Sequence, residues 1–460
     1  MTVSEESPYE ILCEIFQLLC REPISLHVLQ NTSKYNLTEF PWAAGLVCKR
    51  WRAAFLSYPR LWTSLYLRDH YPFTDSYVAE MNRRTAIYVE RSEELPLSIV
   101  VQLVGSNASL EVPSTWRMLL SLSHRWKSVE LMADHTPCKS FACDLRKCRG
   151  EMPILESLKV STRRGAKLPL DGFQIAPRLT HVTLSYLYGI NAELLPLGQL
   201  KRITIQAKLD DWSEGRRIHS ILPALRNVEE LRIISFPYDG AVSEVVPIHF
   251  DRLRALQLSH PDILPWIEAP SMERLHVEDR PYCTNKESDY SEKILHFVQR
   301  SSCYIRYLTL QGCDVSTALS VMEILTHVNE LSIIDPSVDL ICAMIKAIAK
   351  FNLRVLEVTC YSRNVTKAIV DAISALLETW NSGSRIMPLQ RITVVSKRLL
   401  PGYGEQWFVL NDIQELSWPS FVAAEVVHSI SGSSQPSVTI NIVPARRHML
   451  ASPNSMQEEP

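Results

Sequence analysis

Glycine is scarce in this chain, with 14 among 460 residues. None of it gathers into a loop that could cradle a phosphate. Neither G-x-G-x-x-G nor G-x-x-x-x-G-K-[ST] occurs, and Gly402-Tyr403-Gly404 reads as a turn. The H-E-x-x-H of a zinc protease and the G-x-S-x-G elbow of a hydrolase are missing too. Charge of one sign is not in excess: 48 Lys and Arg stand against 50 Asp and Glu, a net −2. No global field therefore draws the protein to nucleic acid or to an anionic membrane. No uninterrupted apolar run approaches the ~20 residues of a membrane span. The opening Met1 to Glu6 is acidic and polar, unlike the basic start and apolar centre of a signal peptide. The 11 cysteines are odd in number and scattered from Cys13 to Cys360, not clustered as in an extracellular disulfide framework. A reducing compartment, cytoplasmic or nuclear, is expected. Cys138, Cys143 and Cys148 are spaced by five with His135 nearby. That spacing is within reach of zinc, yet it reads more simply as reduced thiols. No catalytic residue, metal or cofactor is expected.

What is present begins with helices. Ser7-Pro8-Tyr9-Glu10 has the form of a helix start, with Ser7 as cap, Pro8 in the first turn and Glu10 three residues after the cap. Ile11, Leu12, Ile15, Phe16, Leu18 and Leu19 follow at helical spacing. A second helix is predicted from about Trp42 to Leu56, with Leu46, Val47, Trp51, Ala54 and Phe55 on one face and Pro59 beyond its end. A unit of this size cannot bury so much apolar surface by itself. It needs either the next domain or a partner.

The remainder is a repeat. Apolar residues recur as apolar-x-x-apolar-x-apolar. The pattern is found in Leu155-Leu158-Val160, Leu179-Val182-Leu184, Leu200-Ile203-Ile205, Val228-Leu231-Ile233 and Leu253-Leu256-Leu258. Met272-Leu275-Val277, Ile305-Leu308-Leu310, Val328-Leu331-Ile333, Leu353-Leu356-Val358 and Leu389-Ile392-Val394 continue it. Trp126-Val129-Leu131 and Ile413-Leu416-Trp418 are worn copies at the two ends. With 46% of residues hydrophobic, one match arises by chance about one time in ten, so only the recurrence carries weight. The spacing of mostly ~20–35 residues is that of leucine-rich repeats. Helical patterns over Val315 to Val328, Val338 to Phe351 and Val365 to Trp380 join later strands, while earlier connections are shorter and read as loops or single turns. Pro96 to Leu103 reads as a strand, Trp116 to Leu122 as a short helix and Val438 to Val443 as an apolar run.

Ser7-Pro8-Tyr9-Glu10-Ile11-Leu12-Cys13-Glu14-Ile15-Phe16 resembles the first half of an F-box. Trp42-Ala43-Ala44-Gly45-Leu46-Val47-Cys48-Lys49-Arg50-Trp51-Arg52 with Ser57-Tyr58-Pro59-Arg60-Leu61-Trp62 resembles its second half. The whole is similar to the F-box-like proteins with leucine-rich repeats abundant in mushroom-forming fungi. The resemblance implies a substrate-recognition subunit of a Skp–cullin–F-box ubiquitin ligase, with catalysis left to other subunits. Carried over by position, the adaptor-binding residues would be Pro8, Ile11, Leu12, Ile15, Phe16, Val47, Cys48, Trp51, Leu61 and Trp62. Partners would be a Skp-type adaptor, through it a cullin–RING ligase, and an unidentified target protein; neither nucleic acid nor membrane is expected.

The fold class expected is an α/β repeat: a short all-α F-box-like module, then an irregular leucine-rich-repeat solenoid with parallel strands on its concave side. The divisions are a disordered start at 1–6, the helical module at 7–65, a bridge at 66–125, the solenoid at 126–435 and a largely disordered tail at 436–460. Residues between the inward positions of each strand would face a target: Lys159, His181, Arg202, Arg232, Arg274, His276, Tyr307, Glu330 and Glu357. The alternative is a scaffold outside any ligase, in which the helices only cap the solenoid. Exposure of Ile11, Ile15, Val47 and Trp51 discriminates between the two.

Overall fold

The last two apolar positions of each motif lie two apart, so a strand turns both to one face. The computed structural model describes residues 8–19, 24–25, 44–69, 75–103, 114–136, 139–162, 166–186, 191–207, 212–234, 246–278, 290–347, 351, 353–360, 391–397, 421–427 and 439–442. The chain divides into two compact units, Met1–Leu253 and Arg254–Pro460. Each is α/β and built on an open, mainly parallel sheet.

In the first unit the strands are β1 (Ile24–Ser25), β2 (Ser64–Asp69), β3 (Leu97–Leu103), β4 (Trp126–Ala133), β5 (Ser157–Thr162), β6 (His181–Ser185), β7 (Arg202–Gln206) and β8 (Glu230–Ile234). They stack in chain order, every neighbour parallel. A short β9 (Ile248–His249) follows. Register aligns like with like. Leu65, Ile99, Val129, Leu158, Val182, Ile203 and Leu231 form one row. Leu67, Val101, Leu131, Val160, Leu184, Ile205 and Ile233 form another, and both rows are buried. Each such side chain contributes about 1.5–3 kcal/mol on leaving water.

The sheet begins earlier than the motif count placed it. Residues 66–125 are no separate bridge, because Leu65 with Leu67 and Leu97 with Ile99 and Val101 supply the same alternation and pair into the same ladder. The helices of this unit are α1 (Tyr9–Leu19), α2 (Ala44–Val47), α3 (Lys49–Ser57), α4 (Asp75–Arg91), α5 (Ser114–Ser121), α6 (Lys139–Lys147) and α7 (Trp212–Ile221). Helical connectors are therefore not confined to the C-terminal half. The single helix expected over 42–56 is interrupted at Cys48. Its backbone is extended there, and its Sγ accepts from the Trp51 amide at 3.4 Å, capping α3.

In the second unit the strands are β10 (Ala255–Leu258), β11 (Ile267–Glu268), β12 (Arg274–Glu278), β13 (Tyr307–Gln311), β14 (Glu330–Ile334), β15 (Val355–Cys360), β16 (Arg391–Lys397), β17 (Phe421–Val427) and β18 (Thr439–Ile442). The run β10-β12-β13-β14-β15-β16 is parallel. β17 pairs antiparallel with β16 and β18. Leu256, Leu275, Leu308, Leu331 and Leu356 make a buried row of one residue type. Helices α8 (Tyr290–Ser301), α9 (Val315–Ile324) and α10 (Val338–Ala347) lie between strands. The last two fall where helical patterns were read, and α9 stops short of Val328, which is needed in the core ahead of β14. The Val365–Trp380 pattern, the Ile413–Trp418 copy, residues 1–6 and the stretch beyond Pro444 lie outside the described residues. Among those described, no helix is long and apolar enough to cross a membrane.

Candidate functional site

The N-terminal helices are fixed by an aromatic column. Phe16 meets Trp51 edge-on at 5.2 Å and Phe55 at 6.3 Å. Phe55 meets Trp62 at 5.1 Å, Trp62 meets Tyr88 of α4 at 4.9 Å, and the Arg91 guanidinium lies 4.5 Å over the Trp62 ring. The Trp62 indole donates to the Phe55 carbonyl at 3.3 Å. Polar ties join the helices at their rim, Tyr9 with Ser57 and Tyr58 with Gln17, each at 3.0 Å. Edge-to-face rings of this kind add to what their burial alone contributes.

This packing corrects part of the adaptor assignment. Leu12, Phe16, Leu61 and Trp62 are core side chains, at most 4% exposed. They hold the helices to the sheet and offer nothing to a partner while the chain is folded. Of the other assigned positions, Pro8, Ile11 and Val47 are exposed, and Ile15, Cys48 and Trp51 are half-buried. Ile11 is 50% and Val47 55% exposed. Leu18 at 61% and Leu46 at 52% join them, and the resemblance had named neither. Leu18 was legible from spacing: it stands seven residues after Ile11 and three after Ile15, on one helical stripe.

The strand face of the first unit alternates with the buried rows. Ser157, His181, Arg202 and Glu230 lie side by side, and beside them Glu130, Lys159, Thr183, Thr204 and Arg232. Its charges are largely paired within the chain. Lys159 Nζ is 3.2 Å from Glu130, and Arg202 Nε is 4.0 Å from Glu230. Lys127 of β4 is 3.6 Å from Glu156, one residue before β5. His181 is half-buried and its Nδ1 is 2.8 Å from Thr180 Oγ1. Burial, and then Arg202, hold its pKa below the usual imidazole range. Arg232 is exposed.

In the second unit, Arg274, Tyr307, Glu330 and Val355 share a row, and His276, Thr309, Ser332 and Glu357 the next. The Arg274 guanidinium lies 4.9 Å over the Tyr307 ring. Glu357 is exposed; His276, Tyr307 and Glu330 are half-buried.

A buried polar cluster in this unit has no counterpart in the sequence reading. Asp262 binds His260 Nδ1 at 2.8 Å and the Lys293 ammonium of α8. Burial opposes the charge on Asp262, yet these two partners together keep its pKa below the ordinary carboxylate value. The cluster ties α8 to the turn after β10. Only the adjacency of His260 and Asp262 hinted at it; Lys293 lies too far along the chain to be foreseen.

Burial raises the pKa of the Cys13 and Cys148 thiols and pushes that of Cys303 up to about 11. Of the spaced cysteines, Cys143 is exposed and Cys148 buried, and Cys138 lies outside the described residues. Cys313 is half-buried with its Sγ 3.8 Å from the Gln311 carbonyl. Among the described residues no three His, Cys, Asp or Glu side chains converge as a metal site. No family model matches this sequence, and no curated protein matches it.

Proposed function

We propose that the chain is a recognition subunit, holding a Skp-type adaptor with its N-terminal helices and a target protein with its strand faces, for a ubiquitin ligase whose catalytic parts lie elsewhere. One observation carries the reading. Ile11, Leu18, Leu46 and Val47 stand exposed beside a helical core in which Phe16, Phe55 and Trp62 are buried. Large apolar side chains left wet on an ordered surface mark an interaction site. The resemblance in the same residues supplies the kind of partner.

The scaffold reading has its own support. β1 pairs with β2, and the aromatic column seats the helices on the sheet, as a solenoid cap requires. Capping alone does not account for the outward apolar stripe. The two readings part in a pull-down with purified Skp-type adaptor. The wild-type chain should bind. Ile11→Asp with Val47→Asp should weaken binding at least tenfold, a loss of about 1.4 kcal/mol or more, with the circular dichroism spectrum and melting temperature unchanged. Trp51, half-buried against Phe16, is the wrong residue to charge, since its loss would disturb folding. A wild-type chain that fails to bind would leave the scaffold reading in place.

A further inference from the structure

In the first unit Lys127, Lys159 and Arg202 each lie within 4.0 Å of a glutamate, while Arg232 and Lys201, the latter one residue before β7, are exposed. In the second, Arg254, Arg306 and Arg354 are exposed and, among the described residues, pair with no carboxylate. Each stands one residue before a strand, β10, β13 and β15 respectively. Backbone hydrogen bonds extend the ladder through this row: Glu273 N donates to Arg254 O at 3.0 Å, Arg306 N to Glu273 O at 2.8 Å, Asn329 N to Arg306 O at 2.9 Å and Arg354 N to Asn329 O at 2.7 Å. Glu273 therefore sits between Arg254 and Arg306, yet it forms an ion pair with neither among the described residues. Alongside, the exposed Arg274 lies over Tyr307, and Tyr304, 64% exposed, meets His327 edge-on at 5.0 Å.

We propose that this edge of the second unit is the docking surface for an acidic, extended segment of a protein, its carboxylates received by Arg254, Arg306 and Arg354. Guanidinium is the side chain best matched to a carboxylate, by charge and by two parallel N–H donors. The spacing also fits. The three arginines recur on alternate strands, about 10 Å apart, which is the length of about three residues of extended chain. A segment running across the strand starts with Asp or Glu at every third position would meet all three. Tyr304 would give an apolar residue of that segment a surface to cover. The proposal rests on the recognition reading and deepens it by naming the chemistry of the target.

The test is fluorescence anisotropy with the full-length chain and a labelled synthetic peptide carrying Glu at every third position in a Ser/Gly background. Two control peptides accompany it: one with Gln in place of Glu, and one with the same composition and its Glu residues adjacent. The spaced Glu peptide should bind at least about tenfold more tightly than either control, and added salt should weaken it. The R254Q/R306Q/R354Q variant should lose that preference with an unchanged melting temperature. A first-unit variant, K127Q/K201Q, should keep it. Equal binding of all peptides, or equal loss in both variants, would show diffuse attraction and overturn the proposal. A chain that holds the adaptor but shows no preference among the peptides would overturn this proposal alone and leave the receptor reading standing.

Discussion

Single side chains here divide between holding the fold and facing outward, and the chemistry of each decides which. Arg125 is a cation only 5% exposed, with no carboxylate at ion-pair distance among the described residues, although the Glu94 charge is felt there. It donates instead to the carbonyls of Leu95 and Ser92 and to the Ser92 hydroxyl, closing the C-terminal end of α4. Burial lowers its pKa without removing its charge. Glu80 on the same helix works in reverse. Hydrogen bonds from Arg83, then Arg84, hold its carboxyl down at about 2 against the opposing effect of burial. A group whose folded pKa is depressed contributes stability above its unfolded value and loses it as protons return. Glu80→Gln should therefore lower the melting temperature near neutral pH, and the gap to wild type should close as pH falls from about 4.5 toward about 2. Arg83 is largely exposed, so the effect should stay below about 1 kcal/mol. A gap that is constant with pH would mean that shape, not charge, is what Glu80 supplies.

At the scale of elements, strands were legible and their surroundings less so. Every clear motif within the described residues became a strand, because two-residue alternation leaves the backbone few other ways to bury both positions. β2 and β3 are less legible as members of the array: Trp62, which opens the motif Trp62-Leu65-Leu67, reads as the end of the helical module, and Pro96 stands where the motif ending in Ile99 and Val101 calls for an apolar residue. The outward face could be read from alternation, but which cations were already paired could not, since Glu130 and Lys159 meet only through the register of separate strands. The exposed stripe on α1 was half-visible: helical spacing gives the stripe, whereas its exposure depends on which face the aromatic column claims. Turns after strands carry a recurring feature. Tyr186, Gly312 and Asp335 each stand two residues past the last position of the apolar motif, Leu184, Leu310 and Ile333, with φ of 63°, 71° and 52°. Asp335 N donates to the Thr359 carbonyl at 2.7 Å from that conformation. Asp335→Gly should be tolerated, and Asp335→Val should cost about 1–2 kcal/mol in urea unfolding, because a β-branched side chain resists the left-handed region. Equal stability of the two variants would mean that the turn is not held there.

At the scale of the molecule, each unit is a stack in which a strand answers chiefly to the strand before and the strand after. Stability in such a stack is close to a sum of repeats and their interfaces. Surface chemistry is then distributed: the helices at the start present an apolar stripe, the strand face of the first unit carries several ion pairs, and exposed arginines stand at strand starts in the second. The row Leu256, Leu275, Leu308, Leu331 and Leu356 has a further consequence, for how such a chain can change over generations. Each leucine meets another leucine on both sides along the interior of this row, so a whole repeat can leave without presenting its neighbours with a foreign surface. Excising residues 307–329 would bring Arg306 to Glu330 and set Leu275 against Leu331 where it had met Leu308. The shortened chain should still fold, with circular dichroism and a cooperative melt to show it; an unfolded product would mean that the connectors, not the strands, fix each repeat's place. If it folds, the array can gain or lose turns by unequal recombination, and a lineage carrying it could acquire new partners by changing length as readily as by changing residues.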